Sequence, residues 1–369
     1  MITVTRSTLP PLDEYVAYLE GIWQSAHLTN NGPLCCELST RLKSNLGVPR
    51  IELLANGTLA LQLAIRALGL RGEIITTPYS YVATTNAILW EGCDPVFVDI
   101  EPHSFCIDPD LIEAAITGRS SAILATHVYG YPCNVERIQS IADRHGLSVI
   151  YDAAHAFGVR LGARSLLEYG DCSTLSFHAT KLFHTVEGGG VVCRDAVVAN
   201  RLFLMSTFGH TGEENYQEIG INAKMSELHA AMGLGVLPRV QEYIDIRRRC
   251  AGWYDQLLAG LPLQRPHVEP ELEYNYAYYP VLFSSHEVMM QVRKALLEHD
   301  IVPRRYFYPS LNTLPFLRPE LRRPCPISES VAGRVLALPL STAVGYDDVC
   351  RIVALIRDTL EDEGPAARA

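Results

Sequence analysis

Lys181 is the residue in this chain best placed to act as a nucleophile. It follows the apolar run Ser173–Phe177 in Ser176-Phe177-His178-Ala179-Thr180-Lys181, and Leu182-Phe183 come next. A partly desolvated lysine has a lowered pKa and becomes an amine ready for Schiff-base chemistry. The competing reading is a side chain that snorkels to water. Asp152 closes the apolar run Leu147–Asp152, and His155 stands three residues further on. An acid at the carboxyl end of a strand lies where ligand sites form in α/β sheets; it equally suits a helix N-cap. If a helix follows, His155 is about one turn away and shares the pocket. Asn56-Gly57-Thr58 follows the apolar run Ile51–Ala55 and opens a helical pattern. A helix start offers free N–H groups to a phosphate, and a glycine lets the backbone come close. Taken alone, a plain N-cap explains these residues as well.

Other chemistries lack their motifs. The chain has no GxGxxG, no GxxxxGK[ST] and no GxSxG, and His286-Glu287 has no second histidine at 290. The ten cysteines include no CxxC pair, so they outline neither a zinc site nor a disulfide framework.

The elements that must position these residues are legible as an alternation. Short apolar runs at 51–55, 73–78, 95–100, 122–130, 147–152, 173–177 and 189–193 are separated in several places by helical patterns such as 58–70, 110–117 and 135–146. Such alternation predicts βαβ units and a mainly parallel sheet covered on both faces. Residues 1–48 read as mostly helical after an extended start. After about residue 238 the texture changes, with helical patterns at 240–261, 286–300 and 347–362 around a strand at 275–283. The expected division is a large α/β domain over 1–238 and a smaller C-terminal α/β domain over 239–369. The last residues, Gly364–Ala369, are expected to fray.

The net charge of −10 argues against nucleic acid as the main partner. The densest basic cluster, Arg247-Arg248-Arg249, lies in a helical pattern and reads as a solvated helix face. No window of 18 apolar residues marks a membrane span. Scattered thiols fit a reducing cytoplasm.

Together the motifs resemble the DegT–StrS family of sugar aminotransferases, within the fold-type I enzymes that use pyridoxal 5′-phosphate (PLP). The resemblance runs through NGTLALQLAIRALGL, EIITTPYSYVATTNAIL, PVFVDI, HVYGYP, VIYDAAHAFG, SFHATKLFHTVEGGG, GINAKMSELHAAMGL and RRYFYPSL. It implies that Lys181 is the Schiff-base lysine and proton shuttle. Asp152 then pairs with the cofactor's pyridinium nitrogen, which makes the ring an electron sink. Ser176 and the backbone at Gly57 and Thr58 hold the phosphate. Tyr81 stacks on the ring, and His155, where many members have glutamine, meets the ring hydroxyl. Asn222 is a phosphate ligand reaching the other subunit's site, which implies a homodimer. Lys224 stands where many members have arginine, and its role is open. Arg304, Arg305, Tyr306, Tyr308 and His178 are candidate substrate contacts; for the 304–308 segment a polar surface loop is an equal reading.

Lys181 argues against the family's dehydratases, which have histidine there. The run Glu187-Gly188-Gly189 differs from the GDGG-like run of many carbon-3 enzymes. Residues 176–189 and 304–312 are most similar to enzymes that aminate dTDP-4-keto-6-deoxy-D-glucose at carbon 4 to give dTDP-4-amino-4,6-dideoxy-D-glucose (viosamine). The implied donor is L-glutamate, and the implied destination is a surface polysaccharide such as O-antigen. A carbon-3 enzyme or one using UDP- or GDP-linked sugars is the alternative. A PLP-binding regulatory protein on the same fold is a remote one, since it has no need of Lys181.

Overall fold

The computed structural model describes residues 1–266 and 271–362. The expected fraying of Gly364–Ala369 lies outside the described residues.

Seven strands form the main sheet: β1 Glu52–Leu54, β2 Glu73–Thr76, β3 Asp94–Phe97, β4 Ser120–Thr126, β5 Ser148–Asp152, β6 Cys172–Ser176 and β7 Gly189–Cys193. Their order is β1-β7-β6-β5-β4-β2-β3. The pairs from β6 to β3 are parallel, and β7 runs antiparallel to both β1 and β6. The expected fold class, a mainly parallel mixed sheet of fold-type I between helices, is the one observed. The five C-terminal residues of β4 are all buried, because helices cover both faces of a parallel sheet.

Helices Gly57–Ala67, Val82–Trp90 and Ala196–Ser206 cover one face; Leu61, Ala64, Ile88 and Leu202 pack there on Ile74, Leu124 and Ile150. On the other face Leu38, Leu42, Ile138 and Ile141 pack on Ile75, Ile123 and Val149. Neighbouring residues of a strand thus feed opposite cores.

Register sets the site. Thr126 lies opposite Asp152, and Asp152 opposite Thr174, so three polar side chains stand abreast at the strand ends. On the neighbouring pair Gly189 lies opposite both Ser176 and Leu54. A Cβ on Gly189 would come within 2.5 Å of the Asn56 carbonyl group and 2.8 Å of the Gly57 nitrogen. Glycine is required there because two backbones touch.

The C-terminal part has its own apolar cluster. Tyr254 from helix Val240–Leu257, Met289 and Val292 from His286–Glu298, and Ile352 and Ile356 from Tyr346–Asp362 pack on an antiparallel pair, β8 Tyr279–Leu282 and β9 Val335–Leu338. The extended start crosses into this part: Ile2–Thr3 pairs in parallel with Ile301–Val302. A ribbon of Arg160–Leu161, Arg164–Ser165 and Leu272–Glu273 was not anticipated from the sequence pattern.

One expectation fails. Arg247 is 2% exposed and is no part of a solvated face, whereas Arg248 and Arg249 are exposed. The inner stripe of its helix runs Tyr243, Arg247, Cys250, Ala251 and Tyr254, spaced by three and four, and Arg247 falls within it.

Candidate active site

A cavity of about 330 Å³ opens at the carboxyl ends of β4, β5 and β6. Such a volume suits a cofactor-sized ligand. Lys181, Asp152, His155, Ser176, Gly57, Thr58, Tyr81 and His178 all line it, together with Arg304 and Tyr306. Residues scattered over some 250 positions of sequence converge because parallel strands end side by side.

The helix Gly57–Ala67 begins at the cavity wall. Asn56 caps it, its side-chain oxygen accepting from Leu59 N at 2.9 Å. The N-cap is observed, and it leaves room for an anion at the same helix start: the cap serves one N–H, and a helix start leaves further N–H groups without acceptors. A Cβ on Gly57 would lie 2.9 Å from Ser176 Cβ, so the glycine lets the serine hydroxyl and the helix start share one cradle. No helix follows Asp152. Residues 153–158 form turns instead, and His155 reaches the cavity through that turn, not by helical spacing.

Asp152 is buried. Thr84 donates its hydroxyl to Oδ2 at 2.7 Å, and the Ala154 N–H donates to Oδ1 at 3.1 Å. Burial raises its pKa, while those two hydrogen bonds and the Lys181 charge lower it. Burial also lowers the Lys181 pKa, against the pull of Asp152. The result is an amine easier to deprotonate than an exposed one, next to a carboxylate suited to a cationic ring nitrogen. Burial holds His155 neutral, with its pKa well below the usual value, and the Lys181 charge acts in the same direction. Its ring stacks on Phe307 at 5.6 Å and tilts against Tyr278 at 4.7 Å.

The other expected residues are placed differently. Tyr81 is 58% exposed at the cavity mouth. His178 is also at the mouth, with Nδ1 2.8 Å from Thr180 Oγ1 and Nε2 3.7 Å from Glu187. Arg304 donates to the Tyr306 hydroxyl beside the cavity. Arg305 and Tyr308 do not line it; the Arg305 guanidinium stacks 3.3 Å from the Tyr308 ring centroid. Asn222 does not line this chain's cavity; it is exposed and accepts from Lys224 Nζ at 2.7 Å.

Sequence reasoning missed Thr84, Ser80, Thr126, Tyr278 and Phe307. The run Thr84-Thr85 inside an apolar helix was the available signal for the first, since both side chains are fully buried.

The profile of the DegT/DnrJ/EryC1/StrS aminotransferase family matches residues 12–357. The chain belongs to this family. It is a PLP-dependent aminotransferase, and the half-buried lysine, buried acid and anion-ready helix start in one cavity fit that cofactor. The dTDP-4-amino-4,6-dideoxy-D-glucose transaminase of Shigella dysenteriae is 41% identical over 97% of this chain and 98% of its own length. The enzyme of the same name from Escherichia coli is 42% identical over 96% and 98%. Among solved structures, DesI in the presence of its TDP-sugar product has a TM-score of 0.93 at 35% identity, covering 100% of this chain and 95% of that one. NtdA of Bacillus subtilis, with bound cofactor PMP, has a TM-score of 0.88 at 26% identity, covering 95% and 82%.

Proposed function

We propose that this enzyme moves the amino group of L-glutamate to carbon 4 of dTDP-4-keto-6-deoxy-D-glucose, giving dTDP-4-amino-4,6-dideoxy-D-glucose. The observation that carries the substrate is the 41–42% identity, over nearly the whole chain, to two transaminases named for that product. The site supports the chemistry. When bound, PLP supplies an electron sink and an aldehyde carbon that carries nitrogen between the two substrates. Lys181 is the residue to hold the cofactor covalently and to pass a proton through Nζ, and its desolvation keeps the amine available for that step. Asp152 holds the proton on the ring nitrogen, with Thr84 and Ala154 fixing the carboxylate's direction. Gly57, Thr58 and Ser176 hold the phosphate, Tyr81 covers the ring face, and His155 meets its hydroxyl. Arg304, Tyr306 and His178 stand at the mouth, where a sugar nucleotide must enter; Arg305 and Tyr308 remain candidates for its outer part.

The working unit is a homodimer in which Asn222, which does not line its own chain's cavity, serves the partner's phosphate. The division into 1–238 and 239–369 is kept, supported by the separate C-terminal apolar cluster. No helix among the described residues is long and apolar enough to cross a membrane. A cytoplasmic location fits the buried free thiols, and an O-antigen-type polysaccharide is the proposed destination of the sugar.

Product NMR after incubation with glutamate and a panel of nucleotide keto-sugars tests the substrate. Amination of the dTDP-4-keto sugar at carbon 4 is expected. Turnover only with a 3-keto, UDP- or GDP-linked sugar would replace this assignment with the alternative, for which relatives at 29–33% identity include GDP-perosamine synthases and a UDP-sugar 3-aminotransferase.

A further inference from the structure

Sharing a wall with the cofactor cavity is a much smaller one, lined by Ala154, His155, Ser176, Lys181, Asn275 and Arg247 among others. Its volume is about 10 Å³, room for a single water. Two fully enclosed polar atoms belong to residues of this wall, His155 Nδ1 and Arg247 Nε. Among the described residues neither has a hydrogen-bond partner.

Arg247 is an unusual residue to bury. Its Nη1 donates to the Ala277 carbonyl at 3.3 Å, and among the described residues no carboxylate pairs with it. A guanidinium only donates. A water placed beside Nε therefore accepts from it and keeps two hydrogens to give. The imidazole of His155 is neutral, so one ring nitrogen accepts and the other donates. Nδ1 is the enclosed nitrogen, and Nε2 is not enclosed. Asn275 holds the backbone of the same turn, donating to the His155 and Phe157 carbonyls at 2.8 and 2.9 Å. The ring is further fixed by Phe307 and Tyr278.

We propose that Arg247 is a positioning residue: through one water in this annex it makes His155 Nδ1 an acceptor, so that Nε2–H is the donor facing the cofactor cavity. The inference rests on the cavity being the PLP site only for what that donor meets; the tautomer itself belongs to this chain alone. An aromatic-ring hydroxyl or phenolate oxygen of the cofactor is the group such a donor suits.

The test is nitrogen NMR of the full chain labelled with 15N-histidine, with and without PLP, the His155 signals being assigned by their loss in His155→Gln. The wild type is expected to show a protonated Nε2 and an unprotonated Nδ1 at neutral pH. Arg247→Met, similar in reach but without a donor, is expected to give a mixture of tautomers. It should also weaken PLP binding about 2–10-fold, the range of one lost hydrogen bond. Arg247→Lys is expected to restore the wild-type tautomer. A wild-type protein protonated on Nδ1 overturns the proposal, and this holds even if Arg247→Met fails to fold. Unchanged His155 signals in a folded Arg247→Met overturn it too. If the wild type shows the expected tautomer but PLP binds without a visible band that depends on Lys181, the cofactor reading fails and the tautomer assignment stands.

Discussion

Thr84 Oγ1 donates to Asp152 Oδ2 at 2.7 Å, and this one bond sets the direction of a chain of hydroxyls. Ser80 Oγ lies 2.7 Å from Thr84 Oγ1, and Thr126 Oγ1 donates to Ser80 at 3.0 Å. Because the Thr84 hydrogen is committed to the carboxylate, Ser80 must donate to Thr84. Three hydroxyl dipoles thus point at one buried acid and favour its charged form.

Thr84→Val is therefore expected to raise the Asp152 pKa further and to loosen the cofactor. A hydrogen bond to a charged group is worth about 1.5–3 kcal/mol, or roughly 10- to 150-fold in PLP affinity or turnover. Thr84→Ser keeps the donor and should retain most activity. PLP dissociation measured by fluorescence separates the two, and equal affinity in the valine variant would remove Thr84 from the site's electrostatics.

Lys181→Ala is expected to lose turnover by several orders of magnitude while the chain still folds. Borohydride reduction followed by intact mass should add one cofactor to the wild type and none to the variant. A covalent adduct elsewhere in the variant would move the assignment to another lysine.

Gly57→Ala brings a methyl to within 2.9 Å of Ser176 Cβ, between the helix start and the serine. PLP affinity is expected to fall at least about tenfold, with a smaller effect on Tm, since alanine suits a helix better than glycine does. Equilibrium dialysis beside thermal melting gives both numbers. A large loss of Tm with unchanged affinity would mark the glycine as a packing requirement alone.

Co-expression of Lys181→Ala with Asn222→Ala tests the shared site. Each variant alone is expected to be impaired. In a mixed dimer one site carries both defects and the other neither, so random assembly restores about one quarter of wild-type activity. Activity no higher than the mean of the two single variants would place Asn222 outside the partner's site.

Glu52 carries a pH prediction. Burial raises its carboxyl from 4.5 to about 7. A folded-state pKa above the unfolded one favours the fold while the group is protonated. That contribution is complete below about pH 4.5 and is lost as pH rises through about 7. At 1.36 kcal/mol per unit its ceiling is about 3 kcal/mol. Glu52→Gln should flatten the fall in Tm between pH 5 and 8, and parallel curves for variant and wild type would refute it.

The sheet, its alternation with helices and the residues at the strand ends were all legible in the sequence, because buried parallel strands leave continuous apolar runs with polar punctuation. Arg247 was misread for a local reason. Three consecutive arginines look like one charged patch, but a helix turns each by about 100°, and only the first joins the stripe through Tyr243 and Tyr254. The partners of Asp152 were hidden for a long-range reason: Thr84 is 68 positions away and enters only through the packing of its helix on the sheet. His155 reached the cavity by a different path from the helical one expected, since side-chain reach depends on the turn as well as on spacing.

The pairing of Ile2–Thr3 with Ile301–Val302 has a bearing on synthesis. These residues are among the earliest of the described chain to leave the ribosome, yet their strand partner follows some 300 positions later. At roughly 5–20 residues per second that is a wait of roughly 15–60 s. During it the opening segment has no strand of this pair to join, so the clasp can close only after most of the chain has been made.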